Sequence, residues 1–107
     1  MAIRPFFTAL GEFAAAGNPV AVLPGNHDIE LIRPATQARF VALVAEAAGR
    51  PEVAAAFTFH PWVYYEPGLV YADHGHQYDA ANSFMTQLEP YVAPDQPDRI
   101  DLPLGSY

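Results

Sequence analysis

The sequence contains no cysteine, which excludes a disulfide framework, an iron-sulfur cluster and a thiolate zinc site. A metal ion bound by this chain therefore takes His, Asp, Glu or Asn, and a reducing compartment is compatible with the composition. Long hydrophobic runs are also missing, and none approaches the roughly 18 residues of a membrane span. Positive charge is scarce: five basic residues against twelve acidic ones give a formal charge of -7 over 107 residues. That sign is wrong for holding a nucleic-acid backbone or an anionic membrane, and acidic clusters hold cations instead. The start, with Arg4, Pro5, Phe6 and Phe7, imitates a secretory leader only faintly, because Glu12 interrupts the apolar part. A cytoplasmic location is the expectation.

Apolar residues are plentiful, 51% against 16% charged, so the chain is too hydrophobic to stay disordered. Its length suits one domain, or a piece of one, with a single core. The spacing of Phe6, Leu10, Phe13 and Ala14 predicts a helix over Phe6 to Ala16, with Pro5 at its first position and Gly17 at its C-terminal cap. Val20 to Leu23 reads as a strand buried on both faces, stopped by Pro24-Gly25. A second helix is expected from Pro34 to Ala48, where Phe40, Val41, Val44 and Ala48 form a stripe that ends at Gly49.

From Phe57 the period changes to two, with Phe57, Phe59, Val63 and Tyr65 on one face and a bulge or edge required at Pro61. Glu66-Pro67-Gly68 signals a turn, and Leu69 to Ala72 a returning strand. A short helix from Ala80 to Glu89 follows, with Asp79 as N-cap and Phe84, Met85 and Leu88 as its apolar side. The proline-rich remainder, with Pro90, Pro94, Pro97 and Pro103, is expected to be irregular. This order predicts an α/β layered fold with too few strands to cover itself, hence part of something larger.

Two polar clusters follow predicted strands, where loops converge on a cleft. They are Gly25-Asn26-His27-Asp28 and Asp73-His74-Gly75-His76-Gln77-Tyr78-Asp79. Imidazole nitrogen with amide or carboxylate oxygen, and no sulfur, suits divalent manganese, iron, zinc or nickel. A His beside an Asp suits proton donation, its ring oriented by the carboxylate. His60, beside Pro61, reads as a surface or core-edge residue, and Trp62, Tyr64, Tyr65 and Tyr71 as cross-strand packing.

These residues resemble the calcineurin-like metallophosphoesterases. That family's ordered signature runs Asp-x-His, Gly-Asp-x-x-Asp, Gly-Asn-His-Asp or Gly-Asn-His-Glu, a lone His, then Gly-His-x-His. Here Gly25-Asn26-His27-Asp28 matches the third block in full, directly after the predicted strand. A chance match of four specified residues is on the order of a few in ten thousand at average usage, too rare to set aside. His74-Gly75 resembles the lone-His block, and the wording His-Gly-His-Gln-Tyr-Asp with Asn82 resembles one bacterial branch, related to the UDP-diacylglucosamine hydrolases.

The resemblance implies a β-sandwich flanked by helices, of which residues 1–107 are an incomplete central fragment, the similarity covering Phe6 to Asn82. It implies that Asn26 and His74 are metal ligands, Asn26 also touching the phosphate. His27 is the implied catalytic group that stabilises the transition state or protonates the leaving oxygen, with Asp28 holding its ring. His76, Asp79 and Asn82 are implied second-layer or substrate contacts. In the complete site two divalent ions share a hydroxide that attacks phosphorus in line, hydrolysing a phosphoester without a covalent intermediate.

The departures matter as much as the matches. No Asp precedes Gly25, where Glu12 is the only acid, so the first two blocks have no counterpart. Gly75-His76-Gln77-Tyr78 carries Tyr where the last block needs His. The fragment alone is therefore expected to be inactive, its missing partners being the N- and C-terminal parts of the same domain. Two other readings stay open: an inactive remnant serving as a binding or assembly module, and a single-metal binder using Asn26 and His74.

Overall fold

The computed structural model describes residues 3–91, 96 and 98–106. They form a mixed α/β arrangement of two α-helices and two small two-stranded sheets, in two compact units. The first unit holds the described residues of Met1–Val22 together with Leu31–Phe59, and the second holds Leu23–Glu30 with the described residues of His60–Tyr107. Among the described residues, no helix is long and apolar enough to cross a membrane.

In the first unit, helix α1 spans Ile3–Ala15 and helix α2 spans Pro34–Ala48. Pro34 starts α2, where a missing N–H costs nothing, and Gly49 ends it in the left-handed region (φ 66°), its amide on the carbonyls of Ala45 and Glu46. The stripe of α1 is narrower than its sequence suggests. Phe7, Leu10 and Ala14 pack inward, while Phe6 and Phe13 are 58% and 52% exposed. Positions seven apart with one between them share a face, and the two outer phenylalanines flank it.

Strand β1 is Val20–Val22 and strand β2 is Phe57–Phe59, paired in parallel with Val20 opposite Phe57 and Val22 opposite Phe59. The expected burial on both faces is corrected here. Val20, Val22, Phe57 and Phe59 pack into the core while Ala21 and Thr58 are exposed, because the helices cover only one face of this two-stranded sheet. Phe40 joins the layers, its ring edge-on to Phe7, Phe57 and Phe59 at centroid distances of 5.7, 6.0 and 6.1 Å.

The second unit contains the hairpin. Strand β3, Val63–Glu66, pairs antiparallel with strand β4, Val70–Asp73, and the turn carries Gly68 at φ 76°. The expected continuous strand from Phe57 to Tyr65 is thus two strands in separate sheets, divided at Pro61, whose missing N–H interrupts a ladder. Tyr65 and Tyr71 face each other across the hairpin at 6.5 Å, the packing role expected of them, and the half-buried His60 sets its ring against Tyr64.

The helix expected from Ala80 to Glu89 does not form, and the segment is a series of turns. Side chains have taken the backbone groups a helix would use. Gln77 Oε1 accepts the Phe84 N–H (2.6 Å) while its Nε2 donates to the Phe84 carbonyl (3.1 Å), and Asp79 Oδ1 accepts the Ala81 N–H (3.0 Å). Phe84 is buried, but Met85 and Leu88 are exposed. Of the proline-rich end, Tyr91 and Ile100 form an isolated bridge and Leu104–Ser106 a short 3-10 turn, while Pro94 and Pro97 lie outside the described residues.

Candidate metal centre

All seven site residues read from the sequence fall in the second unit. Asn26 is 8% exposed, and its Nδ2 donates to Asn82 Oδ1 at 3.2 Å. Asn82 in turn donates its Nδ2 to Asp79 Oδ2 at 2.8 Å. An ionised carboxylate only accepts hydrogen bonds, so Asp79 dictates which way both amides point. Its acid is held below the ordinary range first by the Ala81 N–H and then by the Asn82 amide. The consequence reaches Asn26, whose Nδ2 rather than Oδ1 is spent on the bond to Asn82.

His74 lies at the end of β4. A Cβ placed on Gly25 would stand 2.7 Å from His74 Nε2 and 3.0 Å from Asp28 Oδ1, so only glycine allows the imidazole to lie against this backbone. Gly75 has φ 92°, a left-handed turn that brings the flanking histidine rings within 5.2 Å of each other, tilted by 54°. His74 Nδ1 meets His76 Nδ1 at 3.2 Å. His76 is 5% exposed, packs edge-on against Phe84 at 5.6 Å and contacts Gln87 Oε1 through Nε2 at 2.7 Å.

Asp73 closes the same turn by accepting the Gly75 N–H at 2.9 Å. That bond is the main cause of its lowered pKa, helped by the hydroxyls of Tyr71 and Tyr78. The Tyr71 phenol, bonded to Tyr78 and to Asp73, is pushed up to about 12.

His27 and Asp28 are arranged differently from the expectation. Asp28 Oδ1 accepts the Gly25 N–H and so closes its own loop, rather than holding the His27 ring. His27 is exposed and makes no hydrogen bond among the described residues. The structure brings Asn82 to Asn26 and His76 to His74, with Asp79 behind Asn82, but does not link His27 to either chain of contacts. Gln87 and Gly105 were not singled out in the sequence. Gln87 is buried beside His76, and the Gly105 N–H meets the Ala81 carbonyl, its missing Cβ leaving room for Asn82 Oδ1. A lone glutamine and a lone glycine carry no periodic or motif signal.

The donor chemistry suits a divalent metal, Asn26 having an amide oxygen and His74 an imidazole nitrogen. It does not amount to a two-metal centre: among the described residues, no three His, Asp or Glu side chains come together as a metal group. No family model, curated protein or solved structure matches the chain.

Proposed function

We propose that this chain is the central part of a metal-dependent phosphoester hydrolase of the calcineurin-like layered type, inactive until the rest of its domain supplies the missing ligands. One observation carries the reading. Asn26, in the Gly-Asn-His-Asp block, is buried with its amide oriented by Asn82 and Asp79, so that Nδ2 rather than Oδ1 is spent on the bond to Asn82. An amide oxygen left out of that bond is a donor of the kind a divalent cation takes.

In this reading Asn26 and His74 hold a metal, and the exposed His27 reaches substrate to offset charge or donate a proton to the leaving oxygen. Two divalent ions of the manganese, iron, zinc or nickel kind, when bound, supply a hydroxide nucleophile and neutralise the phosphoryl oxygens. Asp28 fixes the Gly25 turn on which both Asn26 and His74 depend.

The test has two arms. Zinc titrated into the 107-residue chain by calorimetry binds at one weak site, and Asn26→Ala or His74→Ala weakens it about tenfold or more. Extended through its flanking coding sequence, the protein turns over a chromogenic phosphodiester and loses that activity on His27→Ala. Zinc binding unaffected by either substitution, or turnover unaffected by loss of His27, refutes the assignment. Binding without turnover in the extended protein leaves a metal-binding module.

A further inference from the structure

We infer that Gln87 is a positioning residue that sets the tautomer of His74 through His76, so that His74 presents a bare Nε2 to a metal. The argument begins at the Pro61 carbonyl, which accepts hydrogen bonds and has no proton to give. Gln87 Nε2 donates to it at 2.9 Å, which settles the orientation of the amide and leaves Oε1 facing His76 Nε2 at 2.7 Å. An amide oxygen is also only an acceptor, so His76 Nε2 carries the proton. With His76 uncharged, its Nδ1 is then a lone pair. The 3.2 Å contact between the two Nδ1 atoms needs one proton, and it comes from His74. The remaining nitrogen of His74, Nε2, is unprotonated.

Each link removes a choice from the next, and the chain crosses from residue 61 to residue 87 to residue 74 without a solvent-facing side chain until the last. Gln87 is 3% exposed and His76 is 5% exposed, where an unmade hydrogen bond is expensive and a misdirected one equally so. Free imidazole favours the opposite form, with the proton on Nε2, which is the wrong form for a ligand at that atom. The relay therefore supplies what a metal-bound histidine needs from its surroundings, a donor-committed far nitrogen that orients the ring and raises the basicity of the near one.

This inference rests on the metal reading of His74, and its test separates the two. Long-range proton-nitrogen correlation spectra of the metal-free chain read the protonation of each imidazole nitrogen directly. The expected pattern is a bare Nε2 and protonated Nδ1 on His74, with a protonated Nε2 and bare Nδ1 on His76. In Gln87→Met, which keeps length and bulk but removes the acceptor, the majority of His74 molecules shift their proton to Nε2, and zinc affinity falls about tenfold. Gln87→Glu, which keeps an acceptor facing His76, retains the bare His74 Nε2. A proton on His74 Nε2 in the unsubstituted chain, a doubly protonated His76, or a His74 pattern unchanged by Gln87→Met overturns the relay. Should Gln87→Met fail to fold, the spectrum of the unsubstituted chain decides alone. The correct pattern without any zinc binding refutes the metal reading and leaves the relay intact.

Discussion

The two units of this chain are held together by different physics. The first closes over Ala14, Val44, Val53 and Phe57, with Phe7, Leu10, Phe40 and Phe59 packed against them, a core of apolar contacts. The second buries Asn26, His76 and Gln87, and among its described residues the larger buried apolar side chains are Ile29, Phe84 and three prolines. Apolar burial is non-directional and tolerates small rearrangements, whereas a buried amide or imidazole is stabilising only when its partners stand at the right distance and with the right polarity. The first unit is closed by apolar packing; the second holds the candidate site.

The most direct way to break this contrast is Phe57→Ala. Phe57 is 8% exposed, sits opposite Val20 in the parallel sheet and meets the ring of Phe40. Its removal leaves a cavity and is expected to cost about 3–5 kcal/mol in chemical denaturation. A loss below about 1 kcal/mol would mean that the apolar cluster is not what holds the first unit.

A smaller effect is expected from Gln77→Leu in the second unit. The substitution removes both hydrogen bonds to the Phe84 backbone and should cost about 1–2 kcal/mol. It also releases residues 80–89 to follow their own helical spacing, so helical circular dichroism should rise even as stability falls. Unchanged helicity would show that side-chain competition by Gln77 is not what keeps this segment in turns.

That segment illustrates what the sequence makes legible. Helix α2 was readable to the residue, because Pro34, a four-residue apolar stripe and Gly49 all give the same answer. The hairpin was readable from Glu66-Pro67-Gly68, and Asn26 and His74 were singled out as candidates by a motif. Their supports were not. Gln87 acts through a carbonyl 26 positions earlier in the chain, and glutamine at a single position has no period to detect. The break at Pro61 was visible, but whether a proline bulges a strand or ends it depends on which sheet each half finds, a tertiary outcome. The helix over 80–89 failed because local side-chain hydrogen bonds outcompeted a correct apolar spacing.

The smallest expected effect sharpens the comparison through pH. Asp73 and Asp79 both titrate below the ordinary carboxylate value of 3.8 in the folded chain, each chiefly because a backbone N–H favours the charged form. A depressed acid stabilises the fold fully above its unfolded pKa, and that contribution is lost as pH falls through the lower folded value. Between about pH 5 and 8 neither carboxylate changes charge, so their contribution is flat; below about pH 4 it drains away. The loss should be confined to the second unit, seen as weakening of the Gly75 and Ala81 amide protection while the amides of α2, which pack on apolar side chains, hold. Asp79→Asn should remove its share of this acid sensitivity. It also replaces an obligate acceptor by a group that can donate, freeing Asn82 to turn over and with it Asn26. Side-chain amide signals of Asn26 that stay single and unshifted in Asp79→Asn would show that the carboxylate does not set the polarity of that chain.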